Sequence, residues 1–134
     1  MTQPLAQPNE ILLVLTNLPD RDAAQKLAHA VIDEKVAACV NILGACTSVY
    51  RWRGVVENAT EIPLLIKTTA SRYAALEAVI RRVHPYELPE IIAVSLAQGL
   101  PVYLQWVAGE VSGDLSVEVS GEVKGEVSAN IRAV

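Results

Sequence analysis

The chain has 134 residues and contains no phenylalanine, two tryptophans, four tyrosines and only two cysteines. Two cysteines, Cys39 and Cys46, are too few for a disulfide scaffold, and their spacing fits no common zinc pattern. As small thiols they suit buried or half-buried positions. The two histidines, His29 and His84, do not stand at metal-pair spacing. No apolar run approaches the ~20 residues that span a bilayer, so no membrane partner is expected. The first nine residues lack the basic start and apolar stretch of a secretory signal, which points to the cytoplasm. The formal net charge is −4 and no basic patch is present, so a nucleic-acid partner is not expected either. There is no phosphate-cradling glycine loop and no Gly-x-Ser-x-Gly elbow. Nothing in these patterns demands an enzyme.

What is present is aliphatic. Hydrophobic residues make up 51% of the chain, mostly Ala, Val, Leu and Ile, at a length that suits one domain. Residues 1–9 are polar and should fray. Ile11 to Leu15 is a short apolar run bounded by Asn17 and Pro19 and reads as a buried strand. Asp20 offers an N-cap, and Ala24, Leu27, Ala28, Val31 and Ile32 follow at helical spacing, so residues 20–36 should be an amphipathic helix. Ala38–Trp52 and Val55–Thr69 are rich in β-formers and joined by a tight-turn candidate, Arg53-Gly54. Gly44 suggests a kink in the first arm, and Pro63 a bulge or unpaired stretch in the second. Ser71 is a candidate cap for a second helix carrying Tyr73, Leu76, Val79, Ile80 and Val83, which Pro85 ends. Ile91–Val94 should be a strand, and Val102–Trp106 a short extra one. The order βαββαβ predicts an α+β, ferredoxin-like antiparallel sheet with both helices on one face, occupying residues 10–107.

The hairpin over 38–69 is long. Arms of about 14 residues would reach ~45 Å, against a radius of gyration of ~13 Å for a domain of this size. Its far end carries Val49, Tyr50, Trp52, Val55 and Val56, which need a cover, and the simplest cover is another copy of the chain. Residues 108–134 form an acidic tail. Within it, 109–132 reads as six tetrads: GEVS, GDLS, VEVS, GEVK, GEVS, ANIR. An even period turns every aliphatic to one side of an extended chain. The tail is expected to be a solvated extension or a loose β-ribbon.

The candidate chemistry lies in a few residues. His84, Tyr86 and Glu90 flank the second helix and should converge at one end of the sheet. His84 fits a metal ligand, a general base, or a structural cap on the helix C-terminus. Glu90 fits a second ligand or a backbone cap. Cys39 fits a ligand or a nucleophile, although no basic neighbour in sequence lowers its pKa. Lys67 and Glu61 read as an ion pair on the strand surface or at an interface rather than as a catalytic pair. His29 should be exposed. Trp52, Glu61, Lys67, Tyr86 and Tyr103 together are candidates for a cleft between subunits.

Five motifs then stand in order: Glu34-Lys35-Val36-Ala37-Ala38-Cys39-Val40-Asn41, Ser48-Val49-Tyr50-Arg51-Trp52-Arg53-Gly54, Leu64-Leu65-Ile66-Lys67-Thr68-Thr69, His84-Pro85-Tyr86 through Pro89-Glu90, and Tyr103-Leu104-Gln105-Trp106. Together they resemble the CutA divalent-cation tolerance family over roughly residues 10–107, and not in the tail. The resemblance implies a ferredoxin-like subunit in a homotrimer, a role in tolerance of divalent cations, and weak binding of Cu²⁺ or another divalent cation. The family's copper ligands are a cysteine near the end of the first strand and two adjacent histidines before Pro-Tyr. Those positions here are Thr16 and Val83-His84, so only His84 carries over, which weakens a site that favours thiolate and imidazole. The alternative is a trimer, similar in plan to the PII signalling proteins, that binds a small ligand or partner.

Overall fold

The computed structural model describes residues 9–112. It contains β1 (Ile11–Leu18), α1 (Arg21–Asp33), β2 (Cys39–Ile42), β3 (Cys46–Trp52), β4 (Val55–Thr69), α2 (Tyr73–Val83), β5 (Ile92–Ser95) and α3 (Pro101–Val111), with one 3₁₀ turn before α2. The strands pair antiparallel in the order β2-β4-β1-β5, and β3 pairs with the first half of β4. The sheet with α1 and α2 on one face is the ferredoxin-like arrangement expected from the sequence.

Alternation builds the two faces. Leu12, Val14, Thr16 and Leu18 of β1 are buried under α1 and α2, beside Ile62, Leu64 and Ile66 of β4. Leu13, Leu15 and Asn17 point the other way and are only half-buried. Asp20 caps α1 by accepting the Ala23 N–H at 2.8 Å. The helix closes through Lys35, which takes a left-handed conformation (φ 57°) while the Val36 N–H returns to the Val31 carbonyl. That is a Schellman ending with a lysine where glycine is usual.

The long arm breaks where its composition suggested. β2 stops at Ile42 and β3 starts at Cys46, leaving Gly44 between them, while β4 runs unbroken for 15 residues. Pro63 faces this break. Leu43 donates to the Pro63 carbonyl at 3.0 Å, but Pro63 has no N–H to return. Arg21 supplies the missing donor, its guanidinium reaching the Leu43 carbonyl at 3.0 Å. The Arg53-Gly54 turn forms as expected, with φ of 50° and 84°. Positive φ at both positions matches the right-handed twist of a two-residue hairpin.

Two expectations fail. Val102–Trp106 is not a strand but the first half of α3. Pro101 fits the first helical position, where a proline's missing N–H costs nothing. The burial of Val107 and Val111, one turn apart, then decides the period over the β-propensity of Val102, Tyr103 and Trp106. α3 packs on the face opposite α1 and α2, in a second cluster with Ile11 and Ala38. Residues 108–111, read from sequence as tail, complete its last turn. The remaining tail, from 113 on, lies outside the described residues, as do residues 1–8. Ser71 does not cap α2. It sits inside the 3₁₀ turn with its hydroxyl 3.1 Å from that of Thr69, and α2 starts without a side-chain cap. No helix among the described residues is long and apolar enough to cross a membrane.

Candidate functional site: two polar clusters at opposite ends of β4

Pro85 ends α2 and turns the chain back toward β1, which fixes His84 at 7% exposure. Its Nδ1 accepts the Tyr86 N–H at 3.1 Å, and its Nε2 lies 2.7 Å from the Asn17 carbonyl. An amide only donates and a carbonyl only accepts, so the proton is on Nε2 and the ring is neutral. Burial pushes the His84 pKa below its ordinary value, partly opposed by the Asn17 carbonyl and the charge of Glu61. The Asn17 amide reaches Glu90 at 3.4 Å. The Tyr86 ring lies 4.8 Å from the imidazole, and its hydroxyl donates to Glu61 at 2.9 Å. Burial, and then Glu61, raise the Tyr86 pKa. Further along the hairpin, Arg53 lies over the Trp52 ring and forms an ion pair with Glu87 at 3.0 Å. His84, Tyr86 and Glu90 therefore do converge, joined by Glu61 and Asn17.

The second cluster lies where β2 meets the other end of β4. Cys39 and Lys67 are cross-strand partners, so their side chains share the face that α3 partly covers. Lys67 Nζ donates to Asn41 Oδ1 at 2.8 Å and lies 3.8 Å from the Cys39 sulfur. Tyr103 sits beside both, its pKa raised by burial and by Cys39, and its ring 5.6 Å from that of Trp106. Cys39 thus has a basic neighbour that its local sequence does not reveal.

Within one chain Lys67 and Glu61 do not pair with each other. The two are six residues apart on β4, about 20 Å along a strand. The cleft candidates accordingly divide, with Glu61, Tyr86 and Trp52 toward the hairpin and Lys67 and Tyr103 toward α3. His29 is exposed, as expected. Asn17, Asn41, Arg53 and Glu87 were not singled out from sequence. Only Asn41 carried a signal, since two residues after Cys39 it shares that residue's face.

The donors fit a resident cation poorly within one subunit. Among the described residues no three His, Cys, Asp or Glu side chains gather where they could hold a metal ion. Cys39 lies in one cluster and His84 and Glu90 in the other, and both imidazole nitrogens are already engaged with backbone. Thr16, where the family's cysteine would stand, is buried with its hydroxyl unpartnered among the described residues.

Comparison with known proteins places these features. The family model of the CutA1 divalent ion tolerance protein matches residues 12–110. The mouse protein named Protein CutA is 40% identical over 100 residues, which is 75% of this chain and 56% of the mouse protein. The chain thus spans little more than half the length of that relative. A divalent-cation tolerance protein CutA from Thermus thermophilus is 41% identical over 95 residues, covering 71% of this chain and 92% of the relative. The crystal structure of CutA from Xylella fastidiosa superposes with a TM-score of 0.75 at 40% identity, covering 77% of this chain and 99% of that one.

Proposed function

The chain belongs to the CutA1 divalent ion tolerance family, and from that premise we propose that it acts as a homotrimer in the response to divalent cations, copper among them. The observation that carries this reading is the apolar surface that a single subunit leaves open. Val49 is 65% exposed, Val55 59% and Val56 56%, all at the far end of the β3–β4 hairpin. Ile92 and Val94 of β5 are exposed as well, opposite Leu15 and Leu13 on the face of the sheet away from α1 and α2. A second copy placed over these surfaces covers both.

Assembly also gives the divided polar clusters a purpose. The hairpin of one subunit brings Glu61, Tyr86 and Trp52 toward the Lys67 and Tyr103 of the next, forming a cleft that one chain does not contain. Copper binding in this reading is weak and needs the assembled protein, because His84 is closed by its backbone partners and Cys39 stands in the other cluster. Calorimetric titration with Cu²⁺ tests this on wild type and His84→Ala. The reading predicts affinity weaker than about 1 µM in both. Tight binding that disappears in His84→Ala would contradict it.

A further inference from the structure

Three ion pairs form among the described residues, Lys26–Asp22, Arg53–Glu87 and Arg82–Glu34, all between exposed side chains. Glu61 and Lys67 join none of them, yet both are drawn out of water. Glu61 is 7% exposed and is the one buried carboxylate among the described residues. Lys67 is half-buried, where the other described lysines, Lys26 and Lys35, are exposed. A charge withdrawn from water is costly unless an opposite charge meets it.

What each group has instead is a neighbour that aims it. The Tyr86 hydroxyl donates to Oε2 of Glu61 at 2.9 Å, which leaves the second carboxylate oxygen for another donor. Lys67 Nζ is held by Asn41 Oδ1 at 2.8 Å, with the Cys39 sulfur at 3.8 Å, and neither partner is a carboxylate. Register places the two groups. Lys67 stands inside the main sheet, opposite Leu13 of β1 and Cys39 of β2. Glu61 stands opposite Cys46 of β3, one residue beyond Ile62, where the pairing with β1 ends. An even step of six residues puts both side chains on the same face of β4, about 20 Å apart. They cannot meet within one chain, but two copies displaced along that face bring Glu61 of one to Lys67 of the other.

We propose that Glu61 of one subunit and Lys67 of the next form an ion pair across each boundary of the trimer, with Tyr86 and Asn41 as positioning residues. The pair rests on the assembly proposed above and names the charges that set its register. A head-to-tail contact joins two different patches of the chain, and a ring of three uses each patch once. Three pairs therefore form, and no Glu61 or Lys67 stays unmatched. Complementary charge fixes the register of such a contact, which the apolar side chains of Val49, Val55 and Val56 do not do by themselves. The partner this surface fits is a second copy of the chain, offset along β4.

A double-mutant cycle on the full-length chain tests the pair. Sedimentation equilibrium gives the subunit dissociation constant of wild type, Glu61→Gln, Lys67→Gln and the double variant, with far-UV circular dichroism to verify that each is folded. The expected result is that each single change weakens association about tenfold or more, and that the double variant associates no more weakly than the weaker single one. Losses that add in the double variant, or a single variant that associates as tightly as wild type, overturn the pair and leave the trimer standing. Wild type that sediments as a single chain at micromolar concentration overturns the assembly, and the pair with it. Carbodiimide coupling of the wild type gives a second reading that needs no variant. The reagent activates a carboxylate, and a lysine amine in contact with it displaces the activating group as a urea and forms an amide. An amide joining Glu61 to Lys67 in chains coupled to one another is expected. Its absence from a protein that sediments as a trimer overturns the pair.

Discussion

His84 spends both ring nitrogens on backbone, so its first task is to hold the loop after α2 against β1. The neutral ring is the form that fits, and burial keeps its folded-state pKa below 6.5. The sign of the pH effect follows. The unfolded chain binds the proton more readily, so the contribution of His84 is intact above about pH 6.5 and is lost as pH falls below it. Urea denaturation between pH 7.5 and 5 should therefore show a steeper loss of stability in wild type than in His84→Asn; equal slopes would contradict the neutral, buried ring. Tyr86 makes a second residue-scale prediction. Its hydroxyl is the partner of the buried Glu61 carboxylate. Tyr86→Phe keeps the ring and strands the carboxylate, which should cost about 1–3 kcal/mol. A loss under about 0.5 kcal/mol would show that Glu61 is satisfied in another way.

The turns at element ends carry strain in non-glycine residues. Lys35 holds the left-handed position that closes α1, and nothing in the structure requires its side chain there. Lys35→Gly should raise stability by roughly 0.5–1 kcal/mol, the relief of the left-handed backbone less the entropy glycine loses on folding; thermal unfolding reads it directly. Arg53 is strained in the same sense, but its side chain reaches Glu87 and Trp52. At this scale much of the fold was legible. Asp20 and the spacing through Ile32 marked α1, Gly44 and Pro63 marked the break between β2 and β3, and Arg53-Gly54 marked the turn. α3 was misread because a window ending at Trp106 holds little more than one helical turn and is rich in β-formers. Its evidence lies in Val107 and Val111, inside residues that look like a repetitive tail. The site was legible only in part. His84, Tyr86 and Glu90 are close in sequence and so close in space. Their partners Asn17 and Glu61, and the Lys67 beside Cys39, depend on sheet register, which no local pattern specifies.

For the whole molecule, the subunit leaves its hairpin end and the outer side of β5 uncovered, and splits its polar candidates between two ends of one long strand. An assembly that covers the first also joins the second, and an interface of this kind should bury on the order of 1,200 Å² or more. Glutamate at both Val49 and Val55 places charge where that interface requires apolar contact, so Val49→Glu/Val55→Glu should shift the protein toward single chains without unfolding β1 or α1. The most direct measurement is sedimentation equilibrium of the unmodified protein at micromolar concentration. The account predicts a mass three times the 14.4 kDa of one chain, unchanged on dilution; a stable species with the mass of a single chain would contradict it.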